Sequence, residues 1–368
     1  MKKQILIVPG DGIGKEVTSC GKAVLEKIAA DSGYHFTFDE AIMGHVAIEQ
    51  TGAAVSDETI AKAKDCDAIL FGAVGHAKYD NDPTLKVRPE QGLFRMRKDL
   101  GLYANLRPIV LFEELLDASS IKPDVLRGTD ILFFRELTGD CYFGEKKRSA
   151  DRNTASDLMV YHRYEVERIA IKAFEAARSR RKKVCSVDKA NVLESSRLWR
   201  EVVQDVARRY PDVETTHMFA DATAMQIIKN PRQFDVILTA NLFGDILTDE
   251  ASQIAGSIGM LASASIGDGT GFFEPVHGSA YDIAGQNKAN PLASILSAAL
   301  MLEISFGLKE EARRVTDAID RVLKAGFRTQ DIASAATERK KILGTREMGS
   351  EVLNFLSKQG QEKGVAVH

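Results

Sequence analysis

Ile5-Leu6-Ile7-Val8-Pro9-Gly10-Asp11-Gly12-Ile13-Gly14-Lys15 passes from four unbroken apolar residues, through a glycine-rich turn, into a segment with apolar positions at helical spacing. An uninterrupted apolar run of this length suits a strand buried on both faces, as in a parallel sheet. Ile13, Val17, Val24 and Ile28 then fall on one face of a helix. The turn invites a dinucleotide-binding reading, but GxGxxG needs glycine at position 15, where Lys15 stands. No GxxxxGK[ST] phosphate loop occurs either. Taken locally, the glycines make a tight strand-to-helix turn, and any nucleotide is bound by other means.

Outward from this unit the alternation continues. Residues 67–74 read as a second buried strand, and 157–180 as a long amphipathic helix burying Tyr164, Ile169, Ala173 and Phe174. A strand at 184–187, a helix near 198–210, a strand at 236–238, a helix from about Asn241 and an apolar helix at 291–304 follow. Strands alternating with helices give an α/β class with largely parallel sheets. The 368 residues suffice for two domains. Loop chemistry is densest at 72–92 and 256–285, which are expected to mark passages between two lobes flanking a cleft.

Composition narrows the function. With 52 acidic and 49 basic residues the net charge is −3, which offers no field for nucleic acid or a membrane surface. The basic run 178–183 is read as the solvated C-terminal turn of a helix. At 44% hydrophobic and 27% charged residues, disorder is excluded. The four cysteines are scattered without CxxC, which suits a reducing cytoplasm rather than a disulfide framework or a Cys-based zinc site. No HExxH occurs, no apolar stretch reaches the length of a membrane span, and 5–8 is too short for a signal-peptide core.

Candidate chemistry gathers at five places. Arg97, Arg107 and Arg135 are the arginines that could converge on a di- or tricarboxylate, since guanidinium forks match carboxylates bidentately. Each alone also fits a surface ion pair, but Arg107 and Arg135 interrupt or end apolar runs. Asp245 and Asp249 are spaced i,i+4, so their carboxylates share a helix face. They either complement the helix dipole or hold Mg²⁺ or Mn²⁺, with Asp221 as a possible third ligand. Lys189 ends an apolar strand, where parallel sheets place their sites, and beside a cation it can serve as a base. Tyr142 can donate a proton. The small-residue loop Glu274-Pro-Val-His277-Gly278-Ser279-Ala280-Tyr281-Asp282-Ile283, running on to Asn290, permits close approach of a ligand.

Taken together, Val187-Asp-Lys-Ala-Asn-Val192, Asn241-Leu-Phe-Gly-Asp-Ile-Leu-Thr-Asp249 and Glu274-Pro-Val-His-Gly-Ser-Ala280 resemble the β-decarboxylating dehydrogenases of the isocitrate/isopropylmalate family. The resemblance runs from Pro9 to the region of Arg328. It implies two α/β domains, 1–102 plus 256–368 for the nucleotide and 103–255 for substrate, metal and dimerisation, with a non-Rossmann nucleotide site. It implies that Arg97, Arg107 and Arg135 hold malate carboxylates, and that Asp221, Asp245 and Asp249 hold Mg²⁺ or Mn²⁺. Lys189 takes the hydroxyl proton and Tyr142 protonates the enol. Family members are homodimers in which Lys189 and Asp221 serve the neighbouring subunit, and 137–147 resembles the clasping arm.

Substrate choice falls to Glu90, Leu93 and Val192, which match the pattern for an isopropyl group; Asp221 also belongs to the substrate set. Homoisocitrate, isocitrate, tartrate and alkylmalates are the alternatives. NAD⁺ is implied by Asp282 and Ile283, where a carboxylate accepts ribose hydroxyls and repels a 2′-phosphate. Glu274, His277, Gly278, Ser279, Ala280 and Asn290 complete the expected cofactor set. Two residues depart from the family pattern: Tyr281 stands in place of proline, and Phe94 in place of leucine.

Overall fold

The computed structural model describes residues 1–82 and 84–365, with side chains described up to 358. Twelve strands occur among them. They are β1 (Lys2–Gly10), β2 (His35–Glu40), β3 (Ala68–Ala73), β4 (Ala104–Val110), β5 (Asp130–Glu136) and β6 (Lys146–Arg148). β7 (Ala155–Asp157), β8 (Lys183–Asp188), β9 (Glu214–Phe219), β10 (Val236–Thr239), β11 (Ala262–Ile266) and β12 (Gly271–Pro275) follow. The chain forms two compact units, 1–101 with 112–120 and 255–368, and 102–111 with 121–254.

In the first unit the strand order is β2-β1-β3-β12-β11. Only the β11–β12 pair is antiparallel. The apolar run Ile5 to Val8 is buried beside β3, as its unbroken pattern requires. The Gly14–Ser32 helix buries Val17, Val24 and Ile28 and packs on β3 and on the Leu292–Ile304 helix. The latter has apolar residues nearly all round because it is covered on several sides.

The second unit has the order β4-β5-β10-β8-β9, with only β4–β5 antiparallel. Helices Arg163–Arg178, Glu194–Ala207 and Asn241–Ala251 pack on this sheet. Phe133, Phe134, Phe174 and Trp199 form the bulk of the core, and each such burial contributes roughly 2–3 kcal/mol. β6 and β7 make a separate exposed antiparallel hairpin. The α/β class with largely parallel sheets is therefore the one the sequence predicts.

Three local readings differ. The helix expected over 157–180 begins only at Arg163, because 155–157 is spent in the β6–β7 hairpin. His162 and Glu165 cap the helix reciprocally, with the His162 amide donating to Glu165 Oε2 at 2.7 Å. Tyr164, in that first turn, is 60% exposed rather than buried. The basic run is not merely solvated: Arg178 pairs with Asp212, and Arg180 with Asp130 and the buried Asp235.

Candidate active site

The second unit assembles its polar cluster where β5 and β10 end. Arg135, next to last in β5, is 2% exposed. Its Nε and Nη2 donate to Asn241 Oδ1 at 3.0 and 2.7 Å, and its Nη1 donates to Asp245 Oδ1 at 2.5 Å. Asn241 opens the helix that follows β10, so a parallel strand end and a helix start meet at this guanidinium. The approach demands Gly244. A Cβ there would sit 2.7 Å from Arg135 Cγ and 2.8 Å from Thr239 Cγ2.

Arg107 enters from β4, buried, its Nε donating to Asn105 Oδ1 at 2.7 Å and its Nη1 to Thr248 Oγ1 at 2.5 Å. Its guanidinium lies 3.6 Å from Asp245 and 3.7 Å from Asp249. Tyr142 completes the group, donating to Asp245 Oδ2 at 2.6 Å. Burial, then this hydrogen bond, pushes the phenol up to about 12. Burial also raises the Asp249 carboxyl above the ordinary range, against the pull of Arg107 and with the push of Asp245. Five residues singled out from sequence thus meet from one helix face, two strands and the turn that carries Tyr142.

Lys189 and Asp221 form a separate pair. Lys189 Nζ lies 2.8 Å from Asp221 Oδ1, and this contact lowers the exposed Asp221 carboxyl. The turn that carries Lys189 is fixed by Asp188, which is buried, accepts the Ala190 N–H at 2.9 Å and is clamped by Arg200 through two 2.8 Å bonds. Val192 is 61% exposed. Among the described residues no group of three His, Cys, Asp or Glu could hold a metal ion. Asp221 therefore does not join Asp245 and Asp249 within one chain. Two carboxylates one turn apart, one of them raised by burial and then by its neighbour, are nonetheless a hard-oxygen donor set suited to Mg²⁺ or Mn²⁺.

In the first unit, Glu90, Leu93 and Arg97 share a face of the Glu90–Asp99 helix at i, i+3 and i+7. Arg97 is buried against Glu274 at 3.2 Å, and its Nε has no hydrogen-bond partner among the described residues. The loop after β12 docks on the glycine turn after β1. Ile13 donates its N–H to Ser279 O at 2.8 Å, and a Cβ on Gly12 would lie 1.9 Å from that oxygen. Ile13, Val17 and Ala289 form an apolar floor packed by Ala280, Ile283 and Ala284. His277 is buried, its Nδ1 against Gly278 O at 2.9 Å and its Nε2 without a partner among the described residues. Burial holds its imidazole below the usual range. Space is open at Gly278, and Asp282 is exposed. Asn290 is tied to Asp331 at 3.0 Å and accepts the Leu292 N–H. Open space at Gly278 and an exposed carboxylate at Asp282 leave room for a nucleoside with ribose hydroxyls.

Tyr281 points outward, its hydroxyl 3.3 Å from Asp80 and its ring 5.9 Å from that of His76. Phe94 is half-buried. Sequence reasoning passed over Asn241, the ligand of Arg135, although it lies in a quoted motif. It also passed over Asp11, whose carboxylate accepts the N–H groups of His45, Val46 and Gly75. Buried acceptors of backbone N–H groups leave no spacing pattern from which to read them.

The family model described as isocitrate/isopropylmalate dehydrogenase matches residues 4–352. A 3-isopropylmalate dehydrogenase of Shouchella clausii is 56% identical over 340 residues, covering 91% of this chain and 93% of its own. Another, of Sulfurimonas denitrificans, is 52% identical over 355 residues, 96% of this chain and 99% of its own. Among solved structures, an isocitrate dehydrogenase from Methylococcus capsulatus aligns with a TM-score of 0.85 at 32% identity, covering 96% of this chain and 99% of its own. The chain belongs to the isocitrate/isopropylmalate dehydrogenase family, and is a decarboxylating dehydrogenase.

Proposed function

We propose that this protein oxidises and decarboxylates (2R,3S)-3-isopropylmalate to 4-methyl-2-oxopentanoate and CO₂, using NAD⁺ and Mg²⁺ or Mn²⁺, as a step of leucine biosynthesis. The observation that carries the chemistry is the meeting of Arg107, Arg135, Tyr142, Asp245 and Asp249. The substrate follows from Leu93 and from relatives named for isopropylmalate at 52–56% identity. An apolar pocket discriminates by only about 1–3 kcal/mol per methylene, whereas burying a third carboxylate against Leu93 costs more.

When bound, the cation supplies Lewis-acid stabilisation of negative charge, and NAD⁺ the two-electron oxidising power. Asp245 and Asp249 hold the cation, with Asp221 supplied from a second chain. Arg97, Arg107 and Arg135 orient the malate carboxylates by charge-assisted hydrogen bonds. Lys189 accepts the proton of the C2 hydroxyl. Tyr142, whose phenol is held protonated by burial and by its bond to Asp245, returns a proton to C3 after CO₂ departs. His277, Gly278, Ser279, Ala280, Asp282, Ile283 and Asn290 hold the nucleotide, with Glu274 fixing Arg97.

The reading includes a homodimer in which Lys189 and Asp221 of one chain complete the site of the other. Met225 and Ile246, more than 60% and 60% exposed respectively, lie on the two helices that carry Asp221 and Asp245, which supports a protein partner there. The test is NADH formation followed by absorbance, with isopropylmalate, isocitrate and homoisocitrate, each with and without Mg²⁺. Metal-dependent turnover highest on isopropylmalate is expected; preference for isocitrate or homoisocitrate overturns the role of Leu93.

A further inference from the structure

Asp140 sits two residues before Tyr142 and is 1% exposed. Its φ is +75°, in the left-handed region, which an L-residue holds only where its surroundings compensate the strain. Those surroundings are visible. Its Oδ2 accepts the Leu242 N–H at 3.2 Å and the Tyr161 hydroxyl at 3.3 Å, while Oδ1 accepts the Cys141 N–H at 2.7 Å. Its own carbonyl accepts the N–H groups of Phe143 and Gly144, at 3.3 and 3.2 Å, closing a turn around Tyr142. Tyr161 in turn accepts the Asn241 N–H at 2.8 Å.

Asn241 and Leu242 form the first turn of the helix bearing Asp245, where N–H groups lack intrahelical partners. A carboxylate there satisfies them and complements the positive end of the helix. One side chain thus ties the turn carrying the phenol to the helix carrying the phenol's acceptor.

We propose that Asp140 is the positioning residue for Tyr142, its carboxylate fastening the Tyr142 turn to the first turn of the Asn241–Ala251 helix. Its kinetic consequence rests on Tyr142 being the proton donor. Asp140→Gly is the informative variant, because glycine accepts the left-handed backbone without strain yet has no tether. It folds with unchanged KM for isopropylmalate and NAD⁺, but kcat falls about tenfold to a hundredfold, as expected for a misplaced reacting group. Asp140→Asn, which keeps an acceptor oxygen and tolerates this φ, restores most of the rate. In a Tyr142→Phe background Asp140→Gly causes no further loss, since the group it positions is gone. A crystal structure of Asp140→Gly shows the phenol off Asp245. Unchanged kcat in Asp140→Gly, the full loss persisting in the Tyr142→Phe background, or a phenol still on Asp245 overturns the proposal. Should Tyr142→Phe turn over like the parent enzyme, the proton-donor reading fails instead, and the crystal structure alone decides the positioning claim.

Discussion

A phenol that donates to a carboxylate at 2.6 Å inside a half-buried cluster holds its proton tightly, and Tyr142 is pushed up to about 12. The sign matters for the pH profile. A raised pKa means that the acid form persists at every pH below that value, so Tyr142 produces no alkaline loss of kcat near the ordinary tyrosine range of about 10. Tyr142→Phe should lower kcat about 10²- to 10⁴-fold with little change in KM, and should leave the alkaline limb where it was. A limb near pH 10 that disappears in Tyr142→Phe would show the phenol titrating in its ordinary range, overturning the raised pKa but not the proton-donor role. Leu93 is tested by substrate rather than by pH. Leu93→Ala removes apolar contact to the isopropyl group and should lower kcat/KM for isopropylmalate by roughly 10- to 200-fold. The same substitution should leave malate, which lacks that group, nearly unaffected; equal loss on both substrates would show that Leu93 only packs.

At the scale of the element, the glycine turn after β1 receives the loop after β12. Gly12 combines a φ of +56° with a Cβ position 1.9 Å from Ser279 O, so both backbone and space exclude a side chain. Gly12→Ala should destabilise the protein by about 1–3 kcal/mol and raise KM for NAD⁺, leaving KM for isopropylmalate unchanged; thermal denaturation and steady-state kinetics check this. This contact explains why the dinucleotide fingerprint failed while the glycines remained: here they admit another loop. Strands such as 5–8 and 236–238 were legible because their apolar runs are buried on both faces. The start of the 163–178 helix was not, since its periodicity continues backward into a hairpin whose pairing the sequence does not display. Arg135 was legible as a cation ending an apolar strand. Its partner Asn241 and the clamp at Asp188 were not, because such pairings join positions 12 to 106 residues apart.

Across the whole molecule, the metal set read from sequence divides in two. Asp245 and Asp249 share a helix, while Asp221 is engaged by Lys189 and joins no three-donor group among the described residues. A sequence names such ligands without saying which copy of the chain supplies each. The homodimer proposed above, with the twofold symmetry common to such assemblies, would cover the exposed Met225 and Ile246 on the helices that carry Asp221 and Asp245. In that arrangement every site takes Lys189 and Asp221 from one chain and Asp245 and Asp249 from the other. Lys189→Ala and Asp245→Asn homodimers are then each inactive, since both of their sites lack one group. A heterodimer of the two gathers both defects into a single site and leaves its other site native. Random reassortment makes half of the dimers mixed, so about a quarter of the parent activity should return. Unfolding and refolding the two variants together, with each refolded separately as the control, measures this. Activity no greater than the sum of the separate variants would place all four residues within one chain.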